Sequence, residues 1–162
     1  MSFGKMMLPE FDDEMARTLK VLQAIPANTM DWKPVESLRS IGWNANHLAD
    51  IAGWTPSILA EDSLDLAPPD GPVYQTSALT DPAELLALFD QGVKATRAAL
   101  ESVSDETLAE SWSLKMGGQI LFTIPKGACL RTWVMNHTIH HRGILSVYLR
   151  MQGVELTPVY DG

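Results

Sequence analysis

The sequence predicts an all-α protein: a bundle of four principal helices with one small irregular insertion. Three observations carry this expectation. Four stretches place apolar residues every three or four positions, and the gaps between them collect the Pro and Gly. The 162 residues are 46% hydrophobic and 20% charged, which suits one packed domain over residues 1–162 and excludes a disordered chain.

The first stripe runs from about Pro9 to Ala24, with Phe11, Met15, Leu19 and Leu22 on one face and Pro26 closing it. Ser40 can cap a second helix carrying Ile41, Ala45, Leu48, Ile51, Thr55 and Ile58, whose later turns Gly53 and Pro56 weaken. Between Asp65 and Pro82, the density of Pro68, Pro69, Gly71 and Pro72 stops regular structure. A connection of that length can run back along a whole helix, so the second and third helices need not be antiparallel neighbours. Asp81-Pro82 opens the third helix, with Leu85, Leu88, Phe89, Val93 and Leu100. In the insertion, Asp105–Ala109 fits a short helical turn. Trp112–Lys115 and Gln119–Thr123 fit a small hairpin across Met116-Gly117-Gly118. The fourth helix, from about Pro125 to Met151 with Gly153 placed to end it, carries Leu130, Trp133, Val134, His137, His141, Ile144, Leu145 and Tyr148.

Charge narrows the partners. Lys plus Arg number 12 against 20 Asp plus Glu, a formal charge of −8, so the surface repels phosphate backbones and anionic lipid; neither nucleic acid nor a membrane is expected as partner. The single cysteine, Cys129, cannot form an intrachain disulfide. Met1–Pro9 lacks a signal-peptide core and no run of about 18 apolar residues occurs, so the expectation is a soluble, cytoplasmic protein.

Three of the four histidines fall within five positions, at His137, His140 and His141. Residues four apart on a helix are offset by roughly 40°, so His137 and His141 can share one ion, whereas His140 is turned roughly 100° from His141. His137 and His141 are therefore the candidate ligands, and His140 a flank. Two imidazoles need a further ligand to hold a divalent ion firmly, and His47, inward on the second helix with Trp43, Ile51 and Trp54, is the candidate. It lies roughly 9 Å from Ile41, and His141 roughly 15 Å from Met151, so the levels agree if the helices are antiparallel. The alternative is that these are core histidines, hydrogen-bonded and free of metal.

The run His137-Thr138-Ile139-His140-His141-Arg142-Gly143, with Asn46-His47-Leu48 on another helix, resembles the DinB-like (DinB/YfiT) superfamily of metal-dependent enzymes. The likeness covers nearly the whole chain, and the end, Gly153 to Gly162 with Pro158-Val159-Tyr160, is similar to that family's short tail. The resemblance implies an up-down-down-up four-helix bundle with a long connection between helices two and three. It also implies a histidine triad on a divalent ion, and homodimers. The family's first metal histidine falls on His47, its last-helix pair on His137 and His141, and its Arg-Gly on Arg142 and Gly143. Ile144 stands where many members have Gln, so a role for that amide has no carrier here.

Three functions compete. In an enzyme, a Zn or Ni ion on three neutral imidazoles would activate water or a low-molecular-weight thiol toward a small-molecule substrate, as a hydrolase or thiol transferase; the resemblance supports either. Asn44, Asp50 and Arg142 are candidates to orient that substrate, or else solvated or capping residues. Cys129 lies roughly 12 Å along the helix from His137, too far to join the ion. A non-catalytic metal- or ligand-binding bundle is the second function. A packing-only bundle with core histidines is the third.

Overall fold

The computed structural model describes residues 2–158 and 160, so Val159, Asp161 and Gly162 of the expected tail lie outside the described residues. Helix α1 spans Phe3–Gln23. It begins at Phe3 rather than Pro9 because Ser2 caps it, its side chain accepting the Lys5 N–H. Pro9 is carried inside the helix, where its missing N–H removes one backbone bond. Helix α2, Ile41–Ala52, starts where Ser40 Oγ accepts the Trp43 N–H at 3.1 Å. Gly53 breaks the stripe, and α3 follows over Trp54–Ala60 with Pro56 in its first turn, where an N–H is dispensable.

The break is held by α4, Pro82–Ser102, which Asp81 caps as the sequence predicts. Gly92 lies so close that a Cβ there would stand 2.7 Å from Gly53 N, and Thr96 Oγ1 donates to the Ala52 carbonyl at 2.6 Å. The Ala52 carbonyl, at the end of α2, is thereby satisfied inside the core.

The all-α expectation needs correction. After α5, Asp105–Ala109, the hairpin forms as β2 and β3, and a further strand, β1, joins it. Strand β1 spans Ser63–Asp65, β2 spans Ser111–Met116 and β3 spans Gln119–Pro125. They make a three-stranded sheet in the order β1-β2-β3, the first pair parallel and the second antiparallel. Three residues are too few to show a period of two, so the sequence could not announce β1. Gly117 and Gly118 turn the hairpin at φ +60° and +79°, values that disfavour side chains with a Cβ. Their N–H groups donate to the Asp65 carboxylate at 3.0 and 2.7 Å, tying β1 to the turn.

The last helical rod runs without interruption as α6, Lys126–Cys129, a wider π-helical stretch, Leu130–Asn136, and α7, His137–Met151. Helices α1 and α2 each pack on both α4 and α7. Phe11, Leu48, Ile51, Leu85, Leu130 and Leu145 fill the space between them. The chain is thus mostly helical with one small sheet. Among the described residues no helix is long and apolar enough to cross a membrane.

Candidate metal centre

His47 is carried by α2, and His137 and His141 by the first turns of α7. Because α2 packs on α7, the three rings meet. One ring nitrogen of each lies within 4.8 Å of those of the other two, and the Nε2 atoms of His137 and His141 are 2.9 Å apart. Bonds of about 2.0–2.1 Å from one ion to two imidazoles span such a gap.

The outer ring nitrogens fix which atom faces inward. Nδ1 of His141 stands 3.0 Å from Asn44 Oδ1. That oxygen can only accept, so His141 carries its proton on Nδ1 and its Nε2 lone pair is free. Nδ1 of His47 is 3.2 Å from Thr76 Oγ1, which leaves its Nε2 for the centre. Nδ1 of His137 is buried without a hydrogen-bond partner; the Trp133 carbonyl favours a proton on that ring, though it lies outside hydrogen-bonding geometry. In the ligating tautomer His137 would carry its proton on this orphan Nδ1, pointed at an acceptor, so the donor set fits a divalent ion.

Electrostatics agree. Burial, followed by the charges that His137 and Arg39 would place beside it, lowers His47 from 6.5 to about 4. Burial and then the neighbouring histidines bring His141 down to about 3, and burial lowers His137 as well. All three rings are neutral near pH 7, the state that binds metal.

Indoles surround the cluster. Trp43 stacks on His47 at 4.6 Å between ring centres, Trp54 meets His47 edge-on at 5.5 Å, and Trp133 meets His137 edge-on at 5.6 Å. Trp133 belongs to the π-helical stretch, one turn ahead of His137; such widened turns are frequent at functional sites. Beside His47 and His137 opens a cavity of about 930 Å³, walled further by Trp112, Phe122 and the 74–80 segment.

The other candidates lie elsewhere. His140 is exposed, edge-on to His141 at 5.0 Å. Asn44, 2% exposed, sits behind His141 and orients that ring rather than a substrate. Asp50 accepts from Ser77 N and Oγ at 2.9 and 2.6 Å, anchoring the long connection. Arg142 turns away from the cavity into α1, where Nη2 approaches Glu14 Oε2 at 2.6 Å as a charge contact. Its Nη1 donates to the Glu14 carbonyl at 3.0 Å and its Nη2 to Tyr160 Oη at 2.6 Å. None of these four lines the cavity. Cys129 does, but burial pushes its thiol up to about 12, which makes it a poor nucleophile.

Sequence reasoning missed Thr76, Asn46, Arg39 and Tyr74. Asn46 pairs with Leu79, accepting from its N–H and donating to its carbonyl, both at 2.9 Å. Asn46 and Asp50, four apart on α2, were the available sign that one face of this helix is occupied by polar backbone. Tyr74 lines the cavity, and burial with the Asp50 charge pushes its hydroxyl up to about 12.

A mostly helical chain with three neutral imidazoles converging from two helices defines a class of candidate metal proteins. This chain belongs to the DinB superfamily, whose model matches residues 10–145. Its fold is similar to that of two DinB-like proteins of known crystal structure. One, from Bacillus cereus ATCC 10987, has a TM-score of 0.72 at 19% identity, covering 95% of each chain. The other, from Bacillus subtilis, has a TM-score of 0.69 at 21% identity, covering 95% of this chain and 96% of that one. No curated protein matches in sequence.

Proposed function

We propose that this protein is a metal-dependent enzyme that uses His47, His137 and His141 to hold a Zn or Ni ion and acts on a small molecule in the adjoining cavity. The convergence of the three inward ring nitrogens within 4.8 Å carries this reading. An ion held by neutral imidazoles keeps its positive charge and supplies the Lewis acidity that makes a water or thiol nucleophilic near neutral pH. Asn44 keeps His141 in the ligating tautomer, Thr76 holds Nδ1 of His47 on the outer side, and Trp43, Trp54 and Trp133 pack against the rings. Transfer of a low-molecular-weight thiol ranks ahead of hydrolysis: the sequence resemblance is compatible with either, and a cavity of about 930 Å³ has room for a thiol beside a second small molecule.

We propose likewise that the helices form an up-down-down-up bundle and that the protein works as a homodimer. The packing of α1 and α2 on both α4 and α7 supports the former; the family resemblance supports the latter. The test of function is a screen of Zn- and Ni-loaded protein with several cellular thiols and a panel of electrophiles and esters. Turnover lost in His47→Ala and His137→Ala is the expected result. Stoichiometric metal without turnover on any substrate would leave a binding module instead.

A further inference from the structure

We propose that Arg39 makes the cavity selective for small molecules that join an apolar, ring-sized body to an anionic group. The inference rests on the cavity being the substrate site proposed above. Its walls are rich in aromatic rings, Trp43, Trp54, Trp112, Phe122 and Trp133, and Asp31 and Arg39 are its charged lining residues apart from the histidines. The Arg39 guanidinium lies 4.9 Å over the Trp43 ring, and Trp43 stacks on His47 at 4.6 Å. Cation, indole and imidazole thus form one connected stack from the mouth to the histidine cluster.

Among the described residues no carboxylate lies within ion-pairing distance of Arg39, whereas Arg17, Arg97, Arg131 and Arg142 each have one. Asp31, exposed at the same mouth, is not paired with it either. The nearby start of α2 cannot take the anion in its place. The Ile41 and Gly42 N–H groups donate to the Trp32 and Met30 carbonyls at 2.9 and 2.7 Å, and the Trp43 N–H to Ser40 Oγ. Among the described residues the guanidinium has no hydrogen-bond acceptor or ion-pair partner, and its charge also disfavours protonation of His47. The contact with Trp43 places the guanidinium over the indole and leaves its N–H groups for a carboxylate, sulfonate or phosphate.

The test uses chelator-treated protein and two fluorescent probes that differ by one group: 1-anilinonaphthalene-8-sulfonate and N-phenyl-1-naphthylamine, which lacks the sulfonate. Competition between them establishes a shared site. Arg39→Met is expected to weaken the sulfonate roughly three- to tenfold at low salt, as suits one exposed charge, and to leave the neutral probe unchanged. Arg39→Lys should restore most of the loss, 0.5 M NaCl should erase the difference, and Asp31→Asn should tighten the sulfonate. Equal weakening of both probes, an unchanged sulfonate affinity, or no binding of either probe to wild type would overturn the proposal. Because metal is absent throughout, failure of the metal reading cannot mimic any of these outcomes.

Discussion

Acidifying the metal-free protein should cost it stability well above the pH at which carboxylates titrate. The unfolded chain takes up a proton on each histidine near pH 6.5, whereas folded His47 refuses one until about pH 4 and folded His141 until about pH 3. Between those values the unfolded state binds more protons, so stability is fully present above pH 6.5 and falls as pH falls, levelling off below the folded values. For His47 the whole interval corresponds to roughly 3 kcal/mol, of which about 2 kcal/mol is lost between pH 7.5 and 5. His141 contributes in the same direction, but the rings share one site and their contributions do not add. Urea unfolding at 25 °C in the presence of chelator, followed by tryptophan fluorescence at pH 7.5, 6.5, 5.5 and 5.0, measures the loss. A double variant, His47→Gln/His141→Gln, should flatten the profile over this range. Stability independent of pH between 7.5 and 5, or an undiminished fall in the double variant, would refute the account of neutral, buried rings.

Asn44→Leu should orphan the Nδ1–H of His141, lowering stability by about 1–3 kcal/mol and metal affinity about 10–100-fold; unfolding curves and competitive calorimetry with Zn read the two effects. Arg142→Met should strip buried Glu14 of its 2.6 Å partner on Oε2 and leave it the Arg17 contact at 3.2 Å, at a loss of about 1–3 kcal/mol, while protein that remains folded at low temperature keeps its metal stoichiometry. Gly92→Ala should push α4 off the Gly53 break and destabilise by about 1–3 kcal/mol, seen as a lower melting temperature with the pH profile unchanged.

The helices were legible because each carries its own punctuation: Ser40 and Asp81 cap, Gly53 breaks, and the stripes through Leu48 and Leu145 repeat at the helical period. The hairpin was legible from Gly117-Gly118 alone, since that pair fits a turn requiring positive φ at both residues. Strand β1 was hidden because its signal lies in β2, far along the chain, and not in Ser63–Asp65. The same distinction divides the site. His137 and His141 announce each other by spacing, and the helix level of His47 could be counted. Thr76 and Leu79 act through contacts made across the long connection, which has no period to read. Arg142 misleads because adjacency to His141 in sequence means roughly 100° of rotation on a helix, and that turn carries it into α1 against Glu14.

Metal content per chain bears most directly on the central claim. Protein grown with both Zn and Ni, desalted and analysed by emission spectrometry, should hold one divalent ion per chain. His47→Ala, His137→Ala and His141→Ala should each hold almost none while keeping the helical circular dichroism of the parent. Wild-type protein free of either metal, or single variants that retain it in full, would contradict a shared three-imidazole site.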